Sequence, residues 1–216
     1  MKTKRHSFTM ILAVVSFMVP AMAGVSFYTD RSTWEAEVSG EIVTETYNEV
    51  SPYVLNEGLN EMTSIDIEIN NLTLESGFIS IDDGSYYLNI DGTPFFRGVC
   101  YPSPYNTTIS IHTQSPVSAW GADFTSTYST DGLTLQINGQ QHDFSGLMLA
   151  GNDIGFLGII STDPFASVTL LTLDDDDTLF GESFGMDNVS FVAVPEPMTM
   201  ALLGLGGLML RKRRKV

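Results

Sequence analysis

Carboxylates are the commonest titratable groups in this chain: 26 Asp and Glu in 216 residues, against 10 Lys and Arg and 3 His. A pair of them is what glycoside hydrolysis uses, one as acid and the other as base or nucleophile. With so many present, no chosen pair is informative. General-base or nucleophilic catalysis needs a histidine oriented beside a hydroxyl or thiol. His112 sits in T-I-S-I-H-T near Ser110 and Thr113, without a G-x-S-x-G turn. His142 directly precedes Asp143, which on a strand puts the two side chains on opposite faces. No H-E-x-x-H, glycine-rich phosphate loop or cysteine zinc pattern occurs. The expectation is a protein that is not an enzyme, with a polysaccharide hydrolase as the distant alternative.

Two other chemistries have candidates. The run Asp174-Asp175-Asp176-Asp177 attracts attention as a cation site. Adjacent residues of an extended chain point alternately up and down, so the run reads as a solvated acidic loop. Glycan or protein contact needs aromatic platforms beside planar polar groups. Tyr101-Pro102-Ser103-Pro104-Tyr105 is stiff, aromatic and polar, so Tyr101 and Tyr105 are the candidate contacts. Trp120 shares a strand face with Phe124 and reads as core. Cys100, the single cysteine, excludes an internal disulfide and reads as a small buried hydrophobe.

The elements that must position these residues are mostly strands. Asp30 to Val38 is the one convincing helix, with capping-box spacing from Ser32 to Glu35 and Trp34 and Val38 on one face. Ile65-Asp66-Ile67-Glu68-Ile69 alternates with period two. Strands are also expected at 41–47, 72–74, 78–81, 108–113, 117–124, 133–137, 140–144, 154–160, 167–173 and 188–194. Asn138-Gly139 supplies a hairpin turn. About ten short strands separated by turn residues predict an all-β antiparallel β-sandwich, a jelly roll, with one short N-terminal helix.

The two ends differ from this body. Met1 to Ala23 has Lys2, Lys4 and Arg5, an apolar run and the small-x-small site Ala21-Met22-Ala23, the parts of a secretory signal peptide cut after Ala23. The last 22 residues hold Pro195-Glu196-Pro197, then 13 uncharged residues from Met198 to Leu210, then Arg211, Lys212, Arg213, Arg214 and Lys215. The prolines keep the tripeptide extended and legible to another protein. The apolar stretch is expected to form a transmembrane helix. At roughly 20 Å against a bilayer core of about 30 Å it is a short one. The basic end is expected to stay on the cytoplasmic side. The chain therefore divides into a signal peptide (1–23), one folded domain (24–194) and a tail (195–216). The body keeps 25 of the 26 carboxylates but only Arg31 and Arg97 as cations, about −23. Such a surface repels nucleic acid and anionic lipid and attracts divalent cations.

V-P-E-P, a Leu/Gly-rich stretch and an arginine-rich end resemble the PEP-CTERM sorting signal of Gram-negative bacteria. The resemblance implies export through the Sec machinery, passage through the inner membrane and recognition by an exosortase. It also implies delivery to the cell surface or medium, with association to exopolysaccharide or biofilm matrix. In the body, S-P-V-S-A-W-G-A-D-F, G-F-L-G-I-I-S and G-M-D-N-V-S-F-V-A-V resemble small PEP-CTERM proteins, and a lectin-like sandwich is what that implies. Met186-Asp187-Asn188-Val189 further resembles the last strand of carbohydrate-binding jelly rolls. There an Asp shares a structural calcium with an acidic residue of an early strand. That resemblance makes Asp187 the candidate ligand, with Glu45 or Glu49 as its partner, and a calcium-dependent carbohydrate-binding module the competing function.

Overall fold

The computed structural model describes residues 24–72, 79–85, 88–100, 106–127, 133–143, 153–172 and 182–194. In chain order these form β1 (Val25–Tyr28), α1 (Arg31–Glu37), β2 (Ile42–Glu45), β3 (Tyr53–Val54), β4 (Gly58–Glu61), β5 (Ile65–Asn70) and β6 (Ser80–Asp82). β7 (Phe95–Cys100), β8 (Thr108–Thr125), β9 (Leu133–Ile137), β10 (Gln140–Asp143), β11 (Ile154–Thr172) and β12 (Glu182–Ala193) complete the set. No helix among the described residues is long and apolar enough to cross a membrane. The expected transmembrane helix at 198–210 lies outside the described residues, as do the signal peptide and the rest of the tail.

All twelve strands join one antiparallel sheet. Two of them are far longer than the sequence pattern predicts. The expected strands at 108–113 and 117–124 are one 18-residue strand, β8, and those at 154–160 and 167–173 are one 19-residue strand, β11. Each runs through a proline, Pro116 or Pro164, and the β8–β11 register shifts on either side of Phe165. A proline cannot donate to the ladder, so strands tolerate it at such irregularities. The sheet changes partners there. On one side, β11 and β8 pair with β1 and β12, and β12 continues to β2 and β7. On the other, the same two strands pair with β9 and β5, flanked by β10 and β4.

One core joins the two wings. Ile65, Ile67 and Ile69 of β5, Ile109 and Ile111 of β8 and Leu133, Leu135 and Ile137 of β9 pack with Trp120, Phe124, Phe184, Met186 and Phe191. β5 shows how sequence places them: its isoleucines are fully buried and alternate with half-buried Asp66 and Glu68. Each such apolar side chain contributes about 1.5–3 kcal/mol on leaving water. Trp120 and Phe124 meet inside this core with tilted rings 6.4 Å apart, as their spacing predicts. Cys100 is buried too, with its thiol on the Leu170 carbonyl at 3.6 Å. Asn138 and Gly139 both take positive φ and close the β9–β10 hairpin.

The helix forms as expected but is capped differently. Asp30, not Ser32, is the N-cap, and its carboxylate accepts from the Thr33 amide at 2.8 Å and the Ser32 hydroxyl at 2.7 Å. The Thr33 hydroxyl, which donates to the same oxygen at 2.6 Å, then the Ser32 hydroxyl and the Thr33 amide hold its pKa below the usual range. A carboxylate outcompetes a hydroxyl for the free amides of a first turn because it also opposes the helix dipole. Trp34 plugs a second, smaller core with Ala119, Phe156 and Val192, and its indole N–H donates to the Ile159 carbonyl at 3.1 Å. Gly158 lies beneath the indole: a Cβ there would sit 2.5 Å from Trp34 Cδ1 and 2.7 Å from Phe156 Cε1. Gly158→Ala is therefore expected to lower stability by about 1–3 kcal/mol through overpacking. A urea midpoint equal to wild type would show that the helix is not seated this way.

Candidate functional site

The three body motifs meet at one place because β8 lies between β11 and β12. Asp123 of β8 is the register partner of Phe156 on β11 and of Asp187 on β12. Gly121 is likewise the partner of Gly158 and of Ser190. A Cβ at Gly121 would meet the Phe156 ring at 2.6 Å, so the two glycines give that ring its space. Between Asp187 and Ser190 the β12–β8 register slips and Asn188 takes positive φ (51°), a β-bulge. Asparagine tolerates that conformation better than most residues.

Arg31, from the first turn of α1, closes over this row. Its Nε donates to Asp123 Oδ1 at 3.2 Å, and Nη2 lies 3.1 Å from the same oxygen. Nη1 donates to the Ser190 hydroxyl at 2.9 Å and Nη2 to the Asn188 carbonyl at 2.9 Å. The guanidinium carbon stands 4.6 Å from the centre of the Phe156 ring. The Asn188 amide completes the set by donating to Asp123 Oδ2 at 3.1 Å. One planar cation thus joins α1, β8, β11 and the bulge of β12, a use for which lysine has too few donors. Sequence reasoning counted Arg31 only as one of two body cations. The signal lay in that count: a cation kept among 25 carboxylates has a specific partner.

Burial raises the pKa of Asp123, with Arg31 pulling the other way. Asp187 goes further. It is fully buried, its Oδ1 accepts from the Asn188 amide at 2.6 Å, and its Oδ2 makes no hydrogen bond. Burial, aided by the charges of Asp91 and Asp123, lifts its pKa to about 7 despite the Asn188 amide and Arg31. The hydroxyl of buried Tyr47, also without a partner, is pushed up by burial and by the charges of Asp187 and Glu45.

The structure places the calcium candidates near one another without making them a cage. Glu45 ends β2 opposite Val189, two residues from Asp187. Its carboxylate is already used, accepting from the Tyr47 amide at 3.1 Å and the Ser64 amide at 3.0 Å. Glu49 is exposed. Calcium asks for six to eight oxygens. The Asp187–Glu45 pair offers one uncommitted carboxylate oxygen, and among the described residues no three acidic, His or Cys side chains converge. As it stands, this donor set does not fit the ion. The candidate contacts Tyr101 and Tyr105 and the run Asp174–Asp177 lie outside the described residues, as do Ala21, Ala23, Pro195, Glu196, Pro197 and Arg211 to Lys215. The histidines have structural neighbours: His112 Nε2 is 2.9 Å from Glu68 Oε2, and the His142 ring centre is 4.7 Å from that of Phe27.

The same strand that carries Asp187 leads into the tail. β12 ends at Ala193, paired with Val117, and the Val194 amide donates to the Pro116 carbonyl at 2.9 Å. A shallow depression of about 250 Å³ lies beside this exit, lined by Val43, Gln114, Phe191 and Ala193 among others. Residues 193–215 match the PEP-CTERM protein-sorting motif. No curated protein matches the chain. The motif marks an exported protein that an exosortase recognises and sorts.

Two tests follow from this geometry. Arg31→Ala removes the guanidinium from Asp123, Ser190, Asn188 and Phe156 and is expected to cost about 2–4 kcal/mol. The double change Arg31→Ala/Asp123→Ala should cost clearly less than the sum of the single changes, because the partners no longer strand each other. Additive losses in urea titrations would mean the pair is not coupled. Asp187 is protonated more readily in the folded chain than in the unfolded one, where an Asp titrates near 3.9. Between those values the folded state binds the extra proton, so this group's contribution falls as pH rises from about 4 to about 7. At about 1.36 kcal/mol per unit, the loss is about 4 kcal/mol at most. Asp187→Asn should flatten that slope and be at least as stable as wild type at pH 8; an unchanged slope would place the titration elsewhere.

Proposed function

We propose that this chain is a non-catalytic protein of the cell surface or extracellular matrix, associated with exopolysaccharide or biofilm. Its folded sheet serves as a β-sandwich of the jelly-roll, lectin-like kind. The signal peptide 1–23 is removed after Ala23 on export. Met198 to Leu210 then holds the precursor in the inner membrane, with Arg211 to Lys215 on the cytoplasmic side. The exosortase reads Pro195-Glu196-Pro197 and the tail is removed. The observation that carries this reading is the sorting motif at 193–215, which begins on the last residue of the final strand.

Several features support the non-catalytic part. Asp123, Asn188 and Ser190 of the body motifs are engaged in holding α1 and the bulge of β12. The described histidines pair with a carboxylate and an aromatic ring. A body of about −23 binds water and divalent cations over its whole surface, which suits hydration and cross-bridging of an anionic polymer.

The test is intact mass and cell fractionation in the native host, wild type beside Pro195→Ala/Glu196→Ala/Pro197→Ala. Wild type is expected outside the inner membrane with both ends missing, and the triple variant full-tailed and membrane-bound. A wild-type protein that keeps Arg211 to Val216 and stays in the membrane would replace sorting with a permanent tail anchor.

A further inference from the structure

We infer that the depression beside the end of β12 is a docking surface for the exosortase, seating an apolar side chain from an extended loop of that enzyme. The inference rests on the sorting reading and adds a contact on the folded body, outside the tripeptide. The depression, about 250 Å³, is lined by Val43 of β2, Thr63 and Ser64 between β4 and β5, Gln114 of β8, and Phe191 and Ala193 of β12, among others. Ala193 is both a wall of this depression and the first residue of the matched sorting motif. The depression is therefore continuous with the surface that the exosortase recognises. The Val194 amide donates to the Pro116 carbonyl at 2.9 Å, so the start of the motif is fixed relative to the depression. Covalent geometry limits residues 195–197 to a reach of about 10 Å from Val194, whatever their path. An enzyme bound to that tripeptide cannot stand away from this end of the body.

Size and chemistry select the occupant. Small-molecule pockets run from about 300 Å³ upward, so this smaller depression takes a side chain rather than an oligosaccharide. Its apolar part is Val43 with its register partner, buried Phe191. Val43 is 38% exposed, one of six large apolar side chains left in water among the described residues. Around it stand groups that form hydrogen bonds without charge: Thr63, Ser64 and Gln114. No lining residue is charged, in a body that holds 25 carboxylates. Glu45, whose carboxylate accepts from the Ser64 amide at 3.0 Å, is buried. An uncharged, partly apolar patch of this kind is where a protein partner meets an acidic body without opposing its field. Among the described residues β2 pairs with β12 alone, so its outer edge offers backbone donors and acceptors to an extended loop. A loop added to that edge sets every second side chain on the face that carries Val43 and Phe191.

The experiment follows tail removal in the native host by pulse-chase. Intact mass separates the full chain from the forms lacking 1–23 alone or both ends. Val43→Asp and Gln114→Glu each put a charge at the depression, and Leu59→Asp puts one on exposed β4, outside it. Urea midpoints of the purified precursors check the fold; should Val43→Asp lower its midpoint, Gln114→Glu carries the test. Both depression variants are expected to lose the signal peptide normally and the tail at least about tenfold more slowly, as spoiling an apolar contact does. Leu59→Asp is expected to match wild type. Wild-type rates for the depression variants would overturn the inference and leave sorting to the tail alone. Equal slowing by Leu59→Asp would overturn it as well, since added charge anywhere would then suffice. A wild-type protein that never loses its tail would sink the sorting reading itself and the inference with it.

Discussion

The guanidinium of Arg31 ties the helix α1, which no strand pairing holds, to three strands already paired with one another. It binds Asp123 of β8, the hydroxyl and carbonyl of the β12 bulge, and the ring of Phe156 on β11. The bulge depends on this contact in turn. Asn188 at positive φ turns its carbonyl towards Arg31 and its side-chain amide towards Asp123. With the strand kinked there, β12 passes from β7 to β2 along one edge while keeping β8 on the other. The tail is thereby delivered from the interior of the sheet rather than from an edge.

The charge of the body makes that single cation expensive to lose. In a body (24–194) with 25 carboxylates and two arginines, an aspartate placed in the sheet has few ways to be neutralised. Asp123 finds Arg31. Asp187, the residue before the Asn188 whose carbonyl Arg31 binds, gains no bond from that guanidinium, and burial raises its pKa to about 7. The two aspartates, register partners on neighbouring strands, therefore meet the same problem by different routes. One is paired with a cation; the other, without one, is an acid whose pKa burial lifts to about 7.

Much of this was legible in the amino-acid pattern, and the misses have physical reasons. Ile65 to Ile69 announced a half-buried strand because period-two alternation is what one wet face produces. Asn138-Gly139 announced its hairpin because both residues accept positive φ. The breaks read at 114–116 and 161–166 were not breaks. Turn-like residues such as Pro116 and Pro164 also serve strands that bend between two wings of a sheet, and local composition does not separate the cases. β3 and β4 are short, with exposed Tyr53, Val54 and Leu59, and carry no periodic signal. The Arg31 site escaped because its members are far apart in sequence. Asp187 was singled out for calcium, yet Glu45 serves two backbone amides instead, a role that any carboxylate at the end of β2 offers and that spacing does not reveal.

The join between body and tail follows from the same architecture. A sorting tail attached to an edge strand or a loop would leave upstream residues that any processing enzyme could draw on. Here the matched motif starts at residue 193, on a strand hydrogen-bonded along both edges, and Val194, the last described residue, still bonds to Pro116. Pulling that strand would disturb Val189 and Phe191 in the main core and Val192 beneath Trp34. Arg31 bonds Asn188 and Ser190, so the helix would be disturbed with it. The body therefore holds the chain firmly along β12 as far as Val194, where the described residues end.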